Sequence, residues 1–170
     1  IHFDDYFYPT TDESIDENEF LSYKESGGEL LLDDWRRENV SDLIKKVYST
    51  VKKIKTQVVF GVSPASNIEK NYNTLYADVE KWVREDGYID YVCPQIYFGF
   101  KNVYQPFMQT VKKWKKLCEN TSTTLYIGLP LYKSGQLDDY ASTEDDEAKN
   151  EFVNNSNIIA RQIKYIEKIE

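Results

Sequence analysis

The sequence predicts an α/β fold in which parallel strands alternate with helices. Two observations predict it. Four short segments are rich in β-branched or aromatic residues, and four segments with the apolar period of a helix lie between and after them. Strands separated by helices pair in parallel through right-handed crossovers. The expected strands are Ile1–Tyr6, Gln57–Val62, Ile89–Tyr97 and Thr124–Leu131.

Apolar stripes predict the four helices. The first stripe runs from Val40 to Ile54 with lysines on the opposite face, and Asn39 or Ser41 is available to begin the helix. Pro106 precedes the third stripe, where a proline is tolerated in a first helical turn. The second, third and fourth stripes span Leu75–Val83, Phe107–Cys118 and Ile159–Ile169.

The connections are short from helix to strand and long from strand to helix. The long ones are Phe7–Asp34, Ser63–Asn73, Phe98–Gln105 and Tyr132–Asn155. All of them follow the carboxyl ends of strands, which is the side where (β/α)8 barrels and open α/β sheets bind ligands. A complete barrel takes about 250 residues, so four units in 170 residues correspond to about half a barrel.

The last long connection contains an acidic tract. The tract runs from Gln136 to Glu151. Six Asp or Glu residues lie between these two positions, and their spacing matches no EF-hand loop. We expect a mobile, solvated loop here, with a lid over the ligand site as the alternative.

Composition excludes several classes of function. The 21 Lys and Arg against 29 Asp and Glu leave a net charge of −8, which argues against nucleic-acid binding. One histidine and two cysteines make no zinc-ligand pattern, so neither a metal nor a cofactor is predicted. No apolar run is long enough for a transmembrane helix. The length fits one domain over residues 1–170.

The chain opens within an apolar stretch, Ile1-His2-Phe3, with no initiator Met or signal peptide. We therefore expect a segment of a longer protein. A half-barrel exposes open sheet edges, so self-association through them is also expected.

Asp4 and Asp5 at the end of the first strand are the strongest catalytic candidates. Alternation along a strand places them on opposite faces unless a bulge intervenes, and it places His2 on the same face as Asp4. A second carboxylate would then lie about 5–5.5 Å from Asp4 in a retaining glycosidase or about 6.5–9.5 Å in an inverting one. His2 could donate to a substrate or to Asp4, or could be a satisfied interior histidine.

The stretch before the first helix combines acids, an aromatic ring and two guanidinium groups. Asp33 and Asp34 suit the positive end of a helix dipole, whereas two arginines there are unfavourable. We therefore expect Arg36 or Arg37 to pair with Asp4 or Asp5. The neighbouring Trp35 is a candidate sugar-binding residue.

Polar and aromatic residues at other strand ends are candidate substrate ligands. Ser63 has no histidine partner nearby, which disfavours a serine nucleophile and leaves a substrate hydrogen bond or a turn. Gln95 needs partners for a buried amide, and Tyr97 lies two residues on, on the same face. Tyr6 and Tyr132 also follow strands, and tyrosine suits the CH faces and hydroxyls of a sugar.

Six stretches in order resemble the bacterial family 10 glycosyl-hydrolase-like proteins. They are His2–Pro9 (HFDDYFYP), Asp34–Val40 (DWRRENV), Phe60–Pro64 (FGVSP), Leu75–Trp82 (LYADVEKW), Ile89–Phe100 (IDYVCPQIYFGF) and Leu125–Lys133 (LYIGLPLYK). The resemblance implies a (β/α)8 TIM-barrel fold, present as a partial barrel of strands four to seven. It also implies carboxylate acid/base cleavage of O-glycosidic bonds in a polysaccharide or peptidoglycan glycan. An extracellular or cell-envelope location is expected with it.

By the same resemblance, the first strand is similar to the nucleophile strand of α-amylase-type barrels, which favours Asp4 over Asp5. Ser63 stands where that analogy expects an acid, so the partner carboxylate is not identified. The alternative function is a non-catalytic carbohydrate-binding or cell-envelope scaffolding module. A metal-dependent deacetylase is disfavoured by the single histidine.

Overall fold

A computed structural model describes residues 1–169, so of the predicted domain only Glu170 lies outside the described residues. The structure contains a four-stranded parallel sheet whose strands lie side by side in chain order. The strands are β1 (His2–Phe3), β2 (Gly61–Val62), β3 (Tyr91–Val92) and β4 (Thr124–Leu125). This confirms the α/β class with parallel strands and is consistent with a partial TIM-barrel-like fold.

The regular strands are shorter than the sequence predicts. Pro64 and Pro94 follow β2 and β3 and have no N–H to donate to a ladder. The parallel arrangement nevertheless continues beyond them, because Gln95 forms isolated bridges with Ala65 and with Gly128. The loops at this end of the sheet are therefore held in register.

The helices of the model are α1 (Glu17–Glu25), α2 (Leu32–Ile54), α3 (Ile68–Thr74), α4 (Val79–Arg84), α5 (Phe107–Cys118), α6 (Asp146–Lys149), α7 (Glu151–Asn154) and α8 (Ile158–Ile169). Short 3-10 turns lie at Glu13–Ile15 and Leu131–Lys133. The predicted third and fourth helices are confirmed as α5 and α8.

Two helix predictions are wrong in part. Helix α2 begins at Leu32, so the stretch expected to precede it lies inside it, with Asp33 and Asp34 in the first turn where acids are favourable. The predicted second helix, Leu75–Val83, is helical only from Val79, where α4 begins, and α3 lies in the stretch that was predicted to be mostly connection. Tyr76 between them has φ of 52°, a left-handed conformation that no helix continues through.

The first long connection carries α1, which the sequence pattern did not indicate. None of the residues of α1 is buried, so it lacks the apolar stripe by which helices are recognised. It is held by aromatic contacts: Phe20 and Tyr23 both pack against Trp35 of α2.

The acidic tract is solvated as expected at five of its six acids, all except Asp138, but it contains helix α6 and buried residues, so the expectation of a loop is wrong in part. Ala141, Ser142 and Ala148 are buried, and Asp145 caps α6 by accepting from Glu147 N and Ala148 N. Glu151 is buried as well and accepts the N–H of Lys101 at 2.8 Å. These contacts tie the tract to the loop after β3.

The hydrophobic core lies between the sheet and the helices. Val62 and Val92 of the sheet pack there with buried Trp82 and Trp114 from α4 and α5. Gly61 and Tyr91 precede these valines in β2 and β3 and are paired in register with each other. They lie on the opposite face of the sheet.

Within the described residues, β1 pairs with β2 and β4 pairs with β3, and each has one strand neighbour. Self-association through these edges stays a prediction, to be checked by light scattering. A search of residues 1–169 for a helix with the length and apolarity to cross a membrane finds none.

Candidate active site

Asp4 and Asp5 lie together, and the expectation that they point to opposite faces is wrong. Strand β1 ends at Phe3, so strict alternation stops before the two acids, and Asp4 Oδ1 accepts the N–H of Asp5 at 2.9 Å. Burial raises the pKa of Asp5, and the charge of Asp4 and a hydrogen bond to it raise that pKa further. The charge of Asp4 therefore acts on the carboxyl group of Asp5.

Gln95 links the ends of three strands. Its Nε2 donates to Asp4 Oδ1 at 2.5 Å and to the carbonyl of Ser63 at 3.0 Å. The predicted need of this amide for partners is thus met by the chain itself.

Ser63 is buried, and its Oγ donates to the carbonyl of Cys93 at 2.8 Å. Its hydroxyl proton is therefore used within the sheet rather than offered to a ligand. This fits the turn interpretation of Ser63 better than the substrate-binding one.

A cleft of about 290 Å³ opens at the carboxyl end of the strands and brings four predicted residues together: Asp5, Gln95, Tyr97 and Tyr132. The rings of Tyr97 and Tyr132 meet edge to face at 5.9 Å, and Tyr132 is 61% exposed. Burial and then the charge of Asp4 raise the pKa of Tyr97. The cleft thus combines one acid, Asp5, with aromatic rings, and Asp4 lies next to it in the chain.

The cleft also contains residues that sequence reasoning missed: Asn67, Lys70, Gln105, Lys133 and Tyr140. Lys133 Nζ lies 2.9 Å from Asp138 Oδ2, and that ion pair is almost wholly buried. The sequence signal for this pair was a lysine two residues after the predicted fourth strand. Its partner in the acidic tract could be identified only from the fold.

His2 is on the face predicted for it, but its partner is Tyr91. Its Nδ1 lies 2.9 Å from Tyr91 Oη, and the two rings stack with centroids 6.0 Å apart. Tyr91 also donates to the carbonyl of Ile1 at 3.3 Å. The expected hydrogen bond from His2 to Asp4 is therefore not formed.

The expected pairing of Arg36 or Arg37 with Asp4 or Asp5 is wrong. Arg36 is fully buried and pairs with Asp16 through Nε at 3.0 Å and Nη2 at 2.5 Å. The helix turns Arg36 towards the long connection that carries Asp16, away from the cleft.

Arg37 pairs within α2, with Asp34 at 2.7 Å, and stacks over Tyr72 at 4.1 Å. Trp35 packs against α1, and Tyr6 is 89% exposed beside a separate surface pocket. The structure therefore brings none of Trp35, Arg37 and Tyr6 into the cleft.

Among residues 1–169, no group of three or more His, Cys, Asp or Glu side chains is arranged to hold a metal ion. The chemistry available at the cleft is that of carboxyl, amide, hydroxyl and ammonium groups.

Comparison with known proteins agrees with the resemblance seen in the sequence. The family model described as glycosyl hydrolase-like 10 matches residues 1–144. The chain is 39% identical over 153 residues to the protein named glycosyl hydrolase DigH of Escherichia coli K12, covering 80% of this chain and 34% of DigH. It is 35% identical over 150 residues to glycosyl hydrolase YngK of Bacillus subtilis 168, covering 78% of this chain and 29% of YngK. The chain thus spans about a third of the length of these curated relatives.

Proposed function

The chain belongs to the glycosyl hydrolase-like 10 family, and from this premise we propose that it forms part of a glycosidase acting on a polysaccharide or a peptidoglycan glycan. Its four βα units would be strands four to seven of a (β/α)8 barrel, with the cleft on the carboxyl side where such barrels bind substrate. The names of the relatives support a glycosidase.

The observation that carries the proposal is the pair of acids after β1, where Asp5 lines the cleft and Asp4 Oδ1 accepts the N–H of Asp5. Glycoside hydrolysis commonly uses one carboxyl group that is protonated and one that is ionised. The raised pKa of Asp5, caused by burial and then by Asp4, suits a general acid that protonates the leaving oxygen. Asp4, which accepts a hydrogen bond from Gln95, is the candidate for the second carboxyl group.

The remaining cleft residues suit sugar positioning. Tyr97 and Tyr132 present ring edges and faces to the CH surface of a sugar, while their hydroxyls remain polar. Gln95 is a positioning residue, because it acts on the reaction through Asp4.

The test compares Asp4→Asn, Asp5→Asn and the matched surface control Asp42→Asn. Each is assayed in this chain and in the full-length protein that carries it, on α-glucans, β-glucans and peptidoglycan glycan strands. Release of reducing ends is the readout. Loss of a general acid costs about 10²–10⁴-fold in rate, so the activity of Asp5→Asn should fall by about that factor, Asp4→Asn should also lose activity, and the control should keep it.

Undiminished turnover in both cleft variants would overturn the assignment of the acids. If the wild-type protein binds oligosaccharides saturably by calorimetry but releases no reducing ends, the glycosidase proposal fails, and the carbohydrate-binding or scaffolding module takes its place.

A further inference from the structure

A second groove adjoins the cleft. It has a volume of about 350 Å³ and shares Ser66, Asn67 and Gln105 with the cleft. It continues past these residues to Tyr104 and then along one face of α5. The two cavities are thus neighbours separated by a narrow polar divider.

The divider is rigid. Ser66 Oγ donates to Gln105 Oε1 at 2.9 Å, which joins the loop after β2 to the loop after β3. Buried Trp114 donates through Nε1 to the carbonyl of Ser66 at 2.7 Å. Buried Asn102 accepts through Oδ1 from the N–H groups of Tyr104 and Gln105 at 3.0 and 2.8 Å.

This arrangement presents groups that suit a sugar. Because Gln105 Oε1 is used by Ser66, its Nε2 amino group, which donates to no acceptor within residues 1–169, is available to a ligand hydroxyl. Tyr104 is 61% exposed and its backbone N–H is held by Asn102, so its ring is available as a platform for a sugar CH face. Tyr132 provides an equally exposed ring on the cleft side of the divider.

The charges along the groove favour a neutral ligand. Glu69, Glu80, Lys113 and Lys116 all line it, so the two signs balance. A ligand with only negative charges would be attracted by the lysines and repelled by the glutamates, and a ligand with only positive charges would meet the reverse.

We propose that the groove is a second sugar-binding subsite, in which Tyr104 is the stacking platform and Gln105 donates at the junction with the cleft. The substrate is then a neutral, hydroxyl-rich oligosaccharide or polysaccharide whose chain crosses the divider. This inference rests on the proposed function, because it assumes that the cleft itself takes a sugar.

The test is calorimetric binding of saccharide pairs that differ only in length: maltose and maltohexaose, cellobiose and cellohexaose, chitobiose and chitohexaose. Wild-type chain is compared with Tyr104→Ala, Tyr104→Phe and the control Tyr72→Ala, whose side chain lines neither cavity. An aromatic contact contributes about 0.5–1.5 kcal/mol. The six-unit member of the pair that binds should therefore bind roughly tenfold more tightly than its disaccharide.

Tyr104→Ala should abolish most of this gain and leave disaccharide affinity unchanged, whereas Tyr104→Phe and Tyr72→Ala should keep the gain. Equal affinity of short and long members, or an equal effect of Tyr104→Ala and Tyr72→Ala, overturns the subsite and leaves the proposed function standing. Tighter binding of oligogalacturonate than of the neutral hexamers overturns the neutral ligand class. Absence of binding by all six saccharides overturns the subsite, while the proposed function is decided separately by release of reducing ends from peptidoglycan glycan strands.

Discussion

Replacement of Arg36 by methionine should destabilise the fold strongly. Arg36 is fully buried, and besides its two hydrogen bonds to Asp16 it donates to Tyr76 Oη at 3.0 Å and to the carbonyls of Thr11 and Asp12. Its guanidinium also lies 5.2 Å from the ring centre of Tyr8. One side chain thus ties the connection that follows Asp4 and Asp5 to helix α2.

The magnitude follows from what the substitution leaves behind. Removing one partner of a buried ion pair costs about 3–5 kcal/mol, because the other charge stays buried without compensation. The Asp16 side chain is 12% exposed, so water relieves part of that penalty. We therefore expect a loss of about 3 kcal/mol in the free energy of unfolding.

Arg37→Met is the matched control on the same helix. Its partner Asp34 is 49% exposed, so the pair is worth about 0–1 kcal/mol, and the stacking on Tyr72 adds about 0.5–1 kcal/mol. Urea unfolding followed by tryptophan fluorescence at pH 7 measures both variants. The reasoning is refuted if Arg36→Met costs no more than Arg37→Met.

The pH dependence gives an independent check. Burial raises the pKa of Asp16, but hydrogen bonds from Arg36 and Tyr8 and the charge of Arg36 outweigh it and hold that pKa below its ordinary value of 3.8. The pair therefore stabilises the wild-type chain fully above that pH, and the stabilisation is lost as the pH falls through the lowered pKa. In Arg36→Met only burial and Tyr8 remain, so the difference in stability between the two proteins should shrink below about pH 4. A difference that stays constant down to pH 2.5 would contradict this account.

Three further predictions concern single positions. Carboxyl ¹³C NMR should give Asp5 a pKa above its ordinary value, and Asp4→Asn should lower it, because the charge that raises it is removed; an unchanged titration would show that the acids do not interact. Gly61→Ala places a Cβ 2.5 Å from the Tyr91 ring, so the ring must move, and chemical unfolding should show a loss of about 1–3 kcal/mol that Tyr91→Ala relieves. Gly87→Ala has room for its Cβ but keeps φ at 93°, so it should lower stability by about 1–3 kcal/mol in the same assay, and no loss would mean that the turn relaxes.

The elements that the sequence predicted well are those with a strong local pattern. Helix α5 has its apolar stripe over Phe107–Cys118 and its entry proline, and both are seen in the structure. Helix α1 was missed because none of its residues is buried, although Phe20 packs on Trp35. It therefore lacks the apolar stripe from which helices are predicted. The break at Tyr76 was missed because a left-handed tyrosine is stabilised by distant contacts, including the hydrogen bond from Arg36.

The candidate site divides in the same way. Asp4, Asp5, Gln95 and Tyr97 follow strands whose carboxyl ends meet in any parallel sheet, so strand order alone predicted that they would lie close together. Asp16 as the partner of Arg36 could not be predicted, because the path of the first long connection depends on packing between elements far apart in the chain.

By itself, the sequence determined the parallel α/β class, the side of the sheet that carries the site, and the family. These follow from residue order, since periodicity and connection length are local quantities. Only the tertiary structure decided that Asp4 Oδ1 accepts the N–H of Asp5, that Arg36 is buried and pairs with Asp16, and that Tyr104 and Gln105 border a second groove. Each of these depends on where β1 ends or on which loops meet in space, and no local pattern encodes either.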